Sequence, residues 1–291
     1  MAEETERNRL ERWLSVVSSV VAPVTLLTAL LFYFGYVSAR AQYRYFGLDV
    51  DAVGLSTQAY VMRSPQALLV PLLSVTLGGG MLVGIHVLLV RRPPQVHAVR
   101  WIFAAAGTAL LGGLVLLFGY QWVGSWALYA LVTPILIAGG TGAGTYSLHR
   151  WRPRRPQTAD DAATPRWVRP STLVLAVVVV ATCLFWATAT VAEWTGLGNA
   201  MRTARNLDEL PSVILDTKDR LFLTDGIVEE TTLPAYEGQT FRYRYRRLRL
   251  LIQGEDRMFL VPERWSPNNS TIAVPLDGSV RVRFRFVNRQ P

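Results

Sequence analysis

The sequence predicts an α-helical membrane fold of about five transmembrane helices, followed by a small C-terminal β-rich domain built as an antiparallel sheet or partial barrel. Three observations predict it. Half of the 291 residues are apolar (51%), and mean hydropathy is positive at +0.23. Nearly all the long apolar runs fall before residue 192. After Leu210 the pattern changes to charged and alternating, with period two. Two units follow: a membrane domain over 1–192 and an extracytoplasmic β-rich domain over 193–291.

The first span covers about 14–38 with no internal charge. At 1.5 Å per residue it is roughly 37 Å long, enough to cross a bilayer with some tilt. A cleaved signal peptide is the competing reading, although its apolar core would be shorter, about 7–15 residues. The second span, 66–90, opens on Ser64-Pro65, a helix cap with proline at the first helical position, and stops at Arg91-Arg92-Pro93-Pro94. The third covers 101–120 and the fourth 126–146, with Trp and Tyr at their ends as interfacial anchors. The fifth, 171–192, is uncharged until Glu193. The segment 149–169, rich in Pro, Arg and Asp, reads as a cytoplasmic linker.

Arginine in the short loops sets the expected orientation. With a cytoplasmic N-terminus, the inner segments hold twelve: Arg7, Arg9, Arg12, Arg91, Arg92, Arg100, Arg150, Arg152, Arg154, Arg155, Arg166 and Arg169. The outer segments hold five: Arg40, Arg44, Arg63, Arg202 and Arg205. An odd number of spans then puts the C-terminus outside, whereas a miscount by one moves it to the cytoplasm. The expected location is a bacterial plasma membrane: with Lys218 the sole lysine and Ala, Val and Gly abundant, the composition is that of a GC-rich genome.

Candidate strands beyond Leu210 are Ser212–Asp216, Arg220–Thr224, Thr240–Gln253, Arg257–Val261, Thr271–Pro275 and Ser279–Val287, with a hairpin turn at Gly254-Glu255-Asp256. The stretch Gly198–Leu210 is expected to form a short helix at the membrane.

Several function classes find no support. The net charge of +9 comes largely from arginines flanking apolar runs, where they set topology, so nucleic acid is not an expected partner. The lone Cys183 permits no intrachain disulfide and no Cys-based zinc site. No Asp, Glu, Lys or Arg lies inside an expected span, and His86 is the one such titratable group there. A neutral histidine, bonded to a neighbouring helix or near the headgroups, accounts for it better than proton coupling does. There is no Gly-x-Ser-x-Gly elbow, no His-Glu-x-x-His and no phosphate-binding glycine loop followed by lysine. The C-terminal domain contains no histidine. No catalytic residue, cofactor or metal is therefore expected. Asp49 and Asp51 have the two-residue spacing of a calcium loop without its other ligands.

Three groups of residues remain as candidates. Gly80 with Gly84, and Gly140 with Gly144, have the G-x-x-x-G spacing that lets helix backbones approach. They serve packing within the chain, or contact with another membrane protein or a second copy. Arg40, Tyr43, Arg44, Tyr45 and Phe46 make the first outer loop basic and aromatic. It lies at the bilayer interface, with Arg40 and Arg44 near lipid phosphates, or it docks the C-terminal domain or a partner. Finally, Arg242, Arg244 and Arg246 alternate with aromatics, and Arg281, Arg283 and Arg285 alternate with Val and Phe. Alternate strand residues point to opposite faces, so six arginines would share one face. That face is either solvated and balanced by carboxylates such as Asp208, Glu209, Glu229 and Glu230, or an anion-binding surface.

The run Tyr43-Arg44-Tyr45-Phe46-Gly47-Leu48-Asp49, then Gly54-Leu55-Ser56-Thr57-Gln58 and Arg63-Ser64, resembles a set of uncharacterised multi-pass membrane proteins of actinobacteria. Tyr243-Arg244-Tyr245 through Leu248-Arg249-Leu250-Leu251 is similar to their soluble end. The resemblance implies a few spans plus a small terminal domain, and carries no activity. The leading expectation is a non-enzymatic envelope protein, embedded in the lipid bilayer, whose β-rich domain meets a partner or an anionic surface. The alternative is an oligomeric channel or transport component, for which the spans offer no polar path.

Overall fold

The structure, a computed structural model, describes residues 2–91, 96–150, 168–223, 226–234, 236–266 and 268–285. Most of the expected linker (151–167) and the end of the last candidate strand (286–287) lie outside the described residues. The N-terminal part is helical: α1 (Ala2–Tyr45), α2 (Val50–Val53), α3 (Thr57–Arg91), α4 (Val96–Phe118), α5 (Tyr120–Val123), α6 (Tyr129–Arg150) and α7 (Val168–Arg205). Among the described residues four helices are long and apolar enough to cross a membrane, over Val21–Tyr45, Thr57–Arg91, His97–Phe118 and Ser171–Arg205. The fourth expected span falls in α6. That helix has the length, but glycine, threonine and Pro134 dilute its apolar character, and it is not among the four.

Two helix boundaries differ from expectation. Helix α3 starts seven residues before Ser64, capped by Ser56, whose Oγ accepts the Ala59 N–H at 3.2 Å. Pro65 thus lies inside the helix, where its missing N–H leaves the Val61 carbonyl without its usual donor. The Ser64 hydroxyl donates to that carbonyl at 2.7 Å. Ser64-Pro65 is a repaired interior step, not a start. Helix α7 runs unbroken through Glu193 to Arg205, so the separate short helix expected at 198–210 is its continuation, followed by a 3₁₀ turn at Leu207–Glu209.

The chain divides into two units, residues 68–192 and residues 1–67 with 193–291. In the first of these, α4 and α6 pack closely: a β-carbon on Gly140 would stand 2.6 Å from the Leu110 nitrogen, so only glycine allows the approach.

The other unit carries the sheet, with β1 (Ser212–Thr217), β2 (Glu229–Thr232), β3 (Tyr243–Gln253), β4 (Arg257–Pro262), β5 (Ile272–Pro275) and β6 (Val280–Arg285). All pairings are antiparallel, in the order β5-β4-β3-β1-β6, with β2 also paired to β3. The edge strands β5 and β6 are joined by four residues, yet among the described residues no ladder pairs them, so the sheet is not closed into a barrel. Its core holds Val213, Leu215, Tyr245, Leu248, Met258, Leu260 and Val274.

A bulge in β3 makes that core possible. Tyr245 pairs with Leu215 and Leu248 with Val213, so β3 spends one extra residue, and Arg247 takes up the bend at φ 62°. Both apolar side chains then face inward despite their odd spacing. The candidate strand Arg220–Thr224 does not form among its described residues. Its Leu221 N–H is taken by the Tyr245 hydroxyl at 2.8 Å, and Phe222 sits at φ 49°, which no extended strand tolerates. Strand β2 is an addition to the expected strands: Glu-Glu-Thr-Thr, largely exposed, has no apolar alternation.

Candidate functional site

Strand pairing places the arginines. Asp216 of β1 lies opposite Arg244 of β3 on one side and Arg281 of β6 on the other, and Arg283 is one step along, opposite Ile214. Asp216 is fully buried (0% exposed). Arg244 donates from Nε at 2.8 Å and Nη2 at 3.3 Å, Arg281 from Nη2 at 2.8 Å, and Arg283 from Nη2 at 3.1 Å. Burial alone would push the Asp216 carboxyl up. The hydrogen bonds from Arg244 and Arg281, with the charges of Arg244 and Arg283, outweigh it and hold the carboxyl below the usual range. The sequence signal was available: Ser212, Ile214 and Asp216 share a strand face by period two.

One carboxylate thus serves three of the six arginines. Arg242, Arg246 and Arg285 are exposed and make no ion pair among the described residues. Of the carboxylates expected to balance this face, Glu229 binds Arg247 at 2.8 Å and Glu230 binds Arg220 at 2.7 Å. The face keeps a positive surplus.

Arg249, beyond the bulge, has another role. Its Nη1 donates to the carbonyls of Leu210 (3.0 Å) and Asp208 (3.3 Å), and its Nη2 to Glu263. It fastens the segment leaving α7 to the sheet.

The loop between α1 and α3 packs on the sheet. Ala39, Tyr43, Val50, Val53 and Tyr60 form one core with Ile252 and Phe259, while Phe46 joins Ala200, Ala204, Leu207 and Val261. Strand β4 is buried on both faces for this reason: Met258 and Leu260 point into the sheet core, Phe259 and Val261 to the helices. Tyr45 stacks on Trp265 at 5.3 Å, and the Thr271 hydroxyl donates to the Phe46 carbonyl at 2.7 Å. Arg40 and Arg44 stay exposed, lining a cavity with Gly47, Leu48 and Asp49.

Of the glycine pairs, Gly140 lies against α4, and Gly144 has ordinary contact distance to Ala106. Among the described residues nothing lies within 4 Å of a β-carbon built on Gly80 or Gly84. His86 Nδ1 is 2.8 Å from the Tyr146 hydroxyl. Among the described residues no group of three or more His, Cys, Asp or Glu could hold a metal ion. No family model matches the chain, and neither a curated protein nor a solved structure does.

Proposed function

We propose that this is a non-enzymatic protein of a bacterial plasma membrane that holds its β-sheet domain outside the cytoplasm, where the arginine face engages an anionic envelope component. The observation that carries this reading is the charge surplus: of six arginines on β3, β6 and the approach to β3, three hold the one buried carboxylate, and Arg242, Arg246 and Arg285 are left exposed without an ion pair among the described residues. The resemblance read in the sequence would imply the same plan of a few spans and a small terminal domain.

Parity supports a fifth span. The loop between α1 and α3 packs on Ile252 and Phe259, so it shares a side of the membrane with the sheet. With α1, α3, α4 and α7 alone crossing, loop and sheet would fall on opposite sides. A crossing by α6 restores agreement and gives termini on opposite sides. The arginine count then favours a cytoplasmic N-terminus.

The test uses the full chain in nanodiscs of neutral lipid, titrated with poly(glycerol phosphate) as the anionic probe. Each arginine at such a surface contributes about 1 kcal/mol. The triple variant Arg242→Ala, Arg246→Ala, Arg285→Ala should therefore bind about a hundredfold more weakly, with a shallower salt dependence. These three are chosen because none holds Asp216. Equal binding by the triple variant sinks the proposal.

A further inference from the structure

We propose that the cavity at the end of α1 binds the phosphate of a glycerophospholipid headgroup. The cavity has a volume of about 310 Å³ and is lined by Arg40, Arg44, Gly47, Leu48 and Asp49. Arg40 and Arg44 are one helical turn apart on α1, so their guanidinium groups project from the same face. Both are exposed and neither forms an ion pair among the described residues. This sets them apart from Arg63, which lies over the Tyr43 ring at 5.4 Å, and from the arginines around Asp216.

The position in the chain selects the ligand. Val21–Tyr45 is long and apolar enough to cross a membrane, and the two arginines occupy its last turns, at the depth of the headgroups. Arg202 and Arg205 end α7, and α7 packs on α1 where a β-carbon on Gly196 would overlap the Ser38 carbonyl. The two helices therefore leave the bilayer together inside a basic collar. Tyr45 stacked on Trp265 adds an aromatic pair of the kind favoured at that depth. A planar guanidinium presents paired N–H donors that match phosphate oxygens, and two of them around one cavity make a clamp for a phosphodiester.

Asp49 sets the charge of the site. Its Oδ1 accepts the Asp51 N–H at 3.2 Å and caps α2, so it is held in the cavity wall. Two arginines against one carboxylate leave one net positive charge, which suits a singly charged phosphodiester. The remaining carboxylate oxygen can accept from a headgroup hydroxyl. The site is separate from the arginine face of the sheet, and neither proposal depends on the other.

The test is native mass spectrometry of the full chain in detergent, counting retained phosphatidylglycerol. Changing Arg40→Gln with Arg44→Gln should reduce retention about tenfold, while Arg40→Lys with Arg44→Lys should fall between, keeping charge but losing the planar fork. Inorganic phosphate added at matching concentration should displace no lipid. Unchanged retention by the glutamine pair overturns the site. Displacement by inorganic phosphate overturns the lipid assignment in favour of a free anion. If the glutamine pair fails to fold, the lysine pair decides, and wild-type retention there overturns the proposal.

Discussion

Gly254, in the turn between β3 and β4, lies so close to Val53 of α2 that a β-carbon on it would overlap the Val53 carbonyl oxygen. Its N–H is already committed to the Arg257 carbonyl at 2.8 Å within the hairpin, so the turn cannot rotate away. Gly254→Ala should therefore push α2 off the hairpin and loosen the core of Val50, Val53, Ile252 and Phe259. Overpacking of this kind costs about 1–3 kcal/mol. Hydrogen exchange of the Gly47–Ser56 amides in the purified full chain reports it: faster exchange in the variant is expected, and unchanged protection would show that the contact is not tight.

Asp216 makes the sheet sensitive to acid. Its folded-state carboxyl titrates below the unfolded value of about 3.9, so its stabilisation is complete well above that pH. The contribution declines as pH falls through about 4 and is gone once the lowered folded value is passed. Asp216→Asn should destabilise the sheet at neutral pH by about 2 kcal/mol, the worth of hydrogen bonds to a charged group, and should flatten the pH dependence below 5. Arg281→Ala alone should cost less than about 1 kcal/mol, because Arg281 is half exposed and Arg244 and Arg283 remain on the carboxylate. Circular dichroism melts of the sheet signal across this pH range distinguish the variants.

What was legible in the sequence follows from the range of the physics involved. Long uncharged runs mark α1, α3, α4 and α7 because bilayer solvation acts on each segment alone. Period-two alternation likewise marked β1, β3, β4, β5 and β6. Ser64-Pro65 misled because a serine before proline reads as a cap, whereas here the serine hydroxyl replaces the donor that proline removed. Strand β2 and the irregular Arg220–Leu223 segment depend on β3, whose Tyr245 hydroxyl and outer edge lie far away in sequence. The arginine alternation was visible, but which arginines are spoken for was not. That depended on the register that sets Asp216 between two strands.

Arg249 offers a test of how the sheet is tied to α7. It reaches the Leu210 and Asp208 carbonyls with one nitrogen and Glu263 with the other, a forked geometry that lysine cannot reproduce. Arg249→Lys should leave one part-buried carbonyl short of a donor and destabilise the sheet by about 1 kcal/mol. Glu263→Gln should cost less, since the backbone contacts persist. A thermal melt showing equal loss in the two variants would mean that the ion pair, not the carbonyl anchor, holds the segment.

The packing of Tyr43, Val50 and Val53 on Ile252 and Phe259 makes a statement about membrane topology that can be checked without any functional assay. A loop and a domain that share a core share an aqueous side, so an even number of crossings must separate them. On the proposed topology α3, α4 and α7 supply three, and among the described residues α6 is the one remaining helix with the length to supply the fourth: 22 residues at 1.5 Å each span roughly 33 Å. Its glycines and threonines lower its affinity for lipid, but close packing of Gly140 on α4 lets it cross beside a partner helix. In a background with Cys183→Ala, single cysteines at Ser56 and Asp277 should react with a membrane-impermeant thiol reagent from one side of sealed vesicles, and a cysteine at Glu4 from the other. Labelling of Ser56→Cys and Asp277→Cys from opposite sides would leave α6 outside the set of crossing helices and would be incompatible with the shared core.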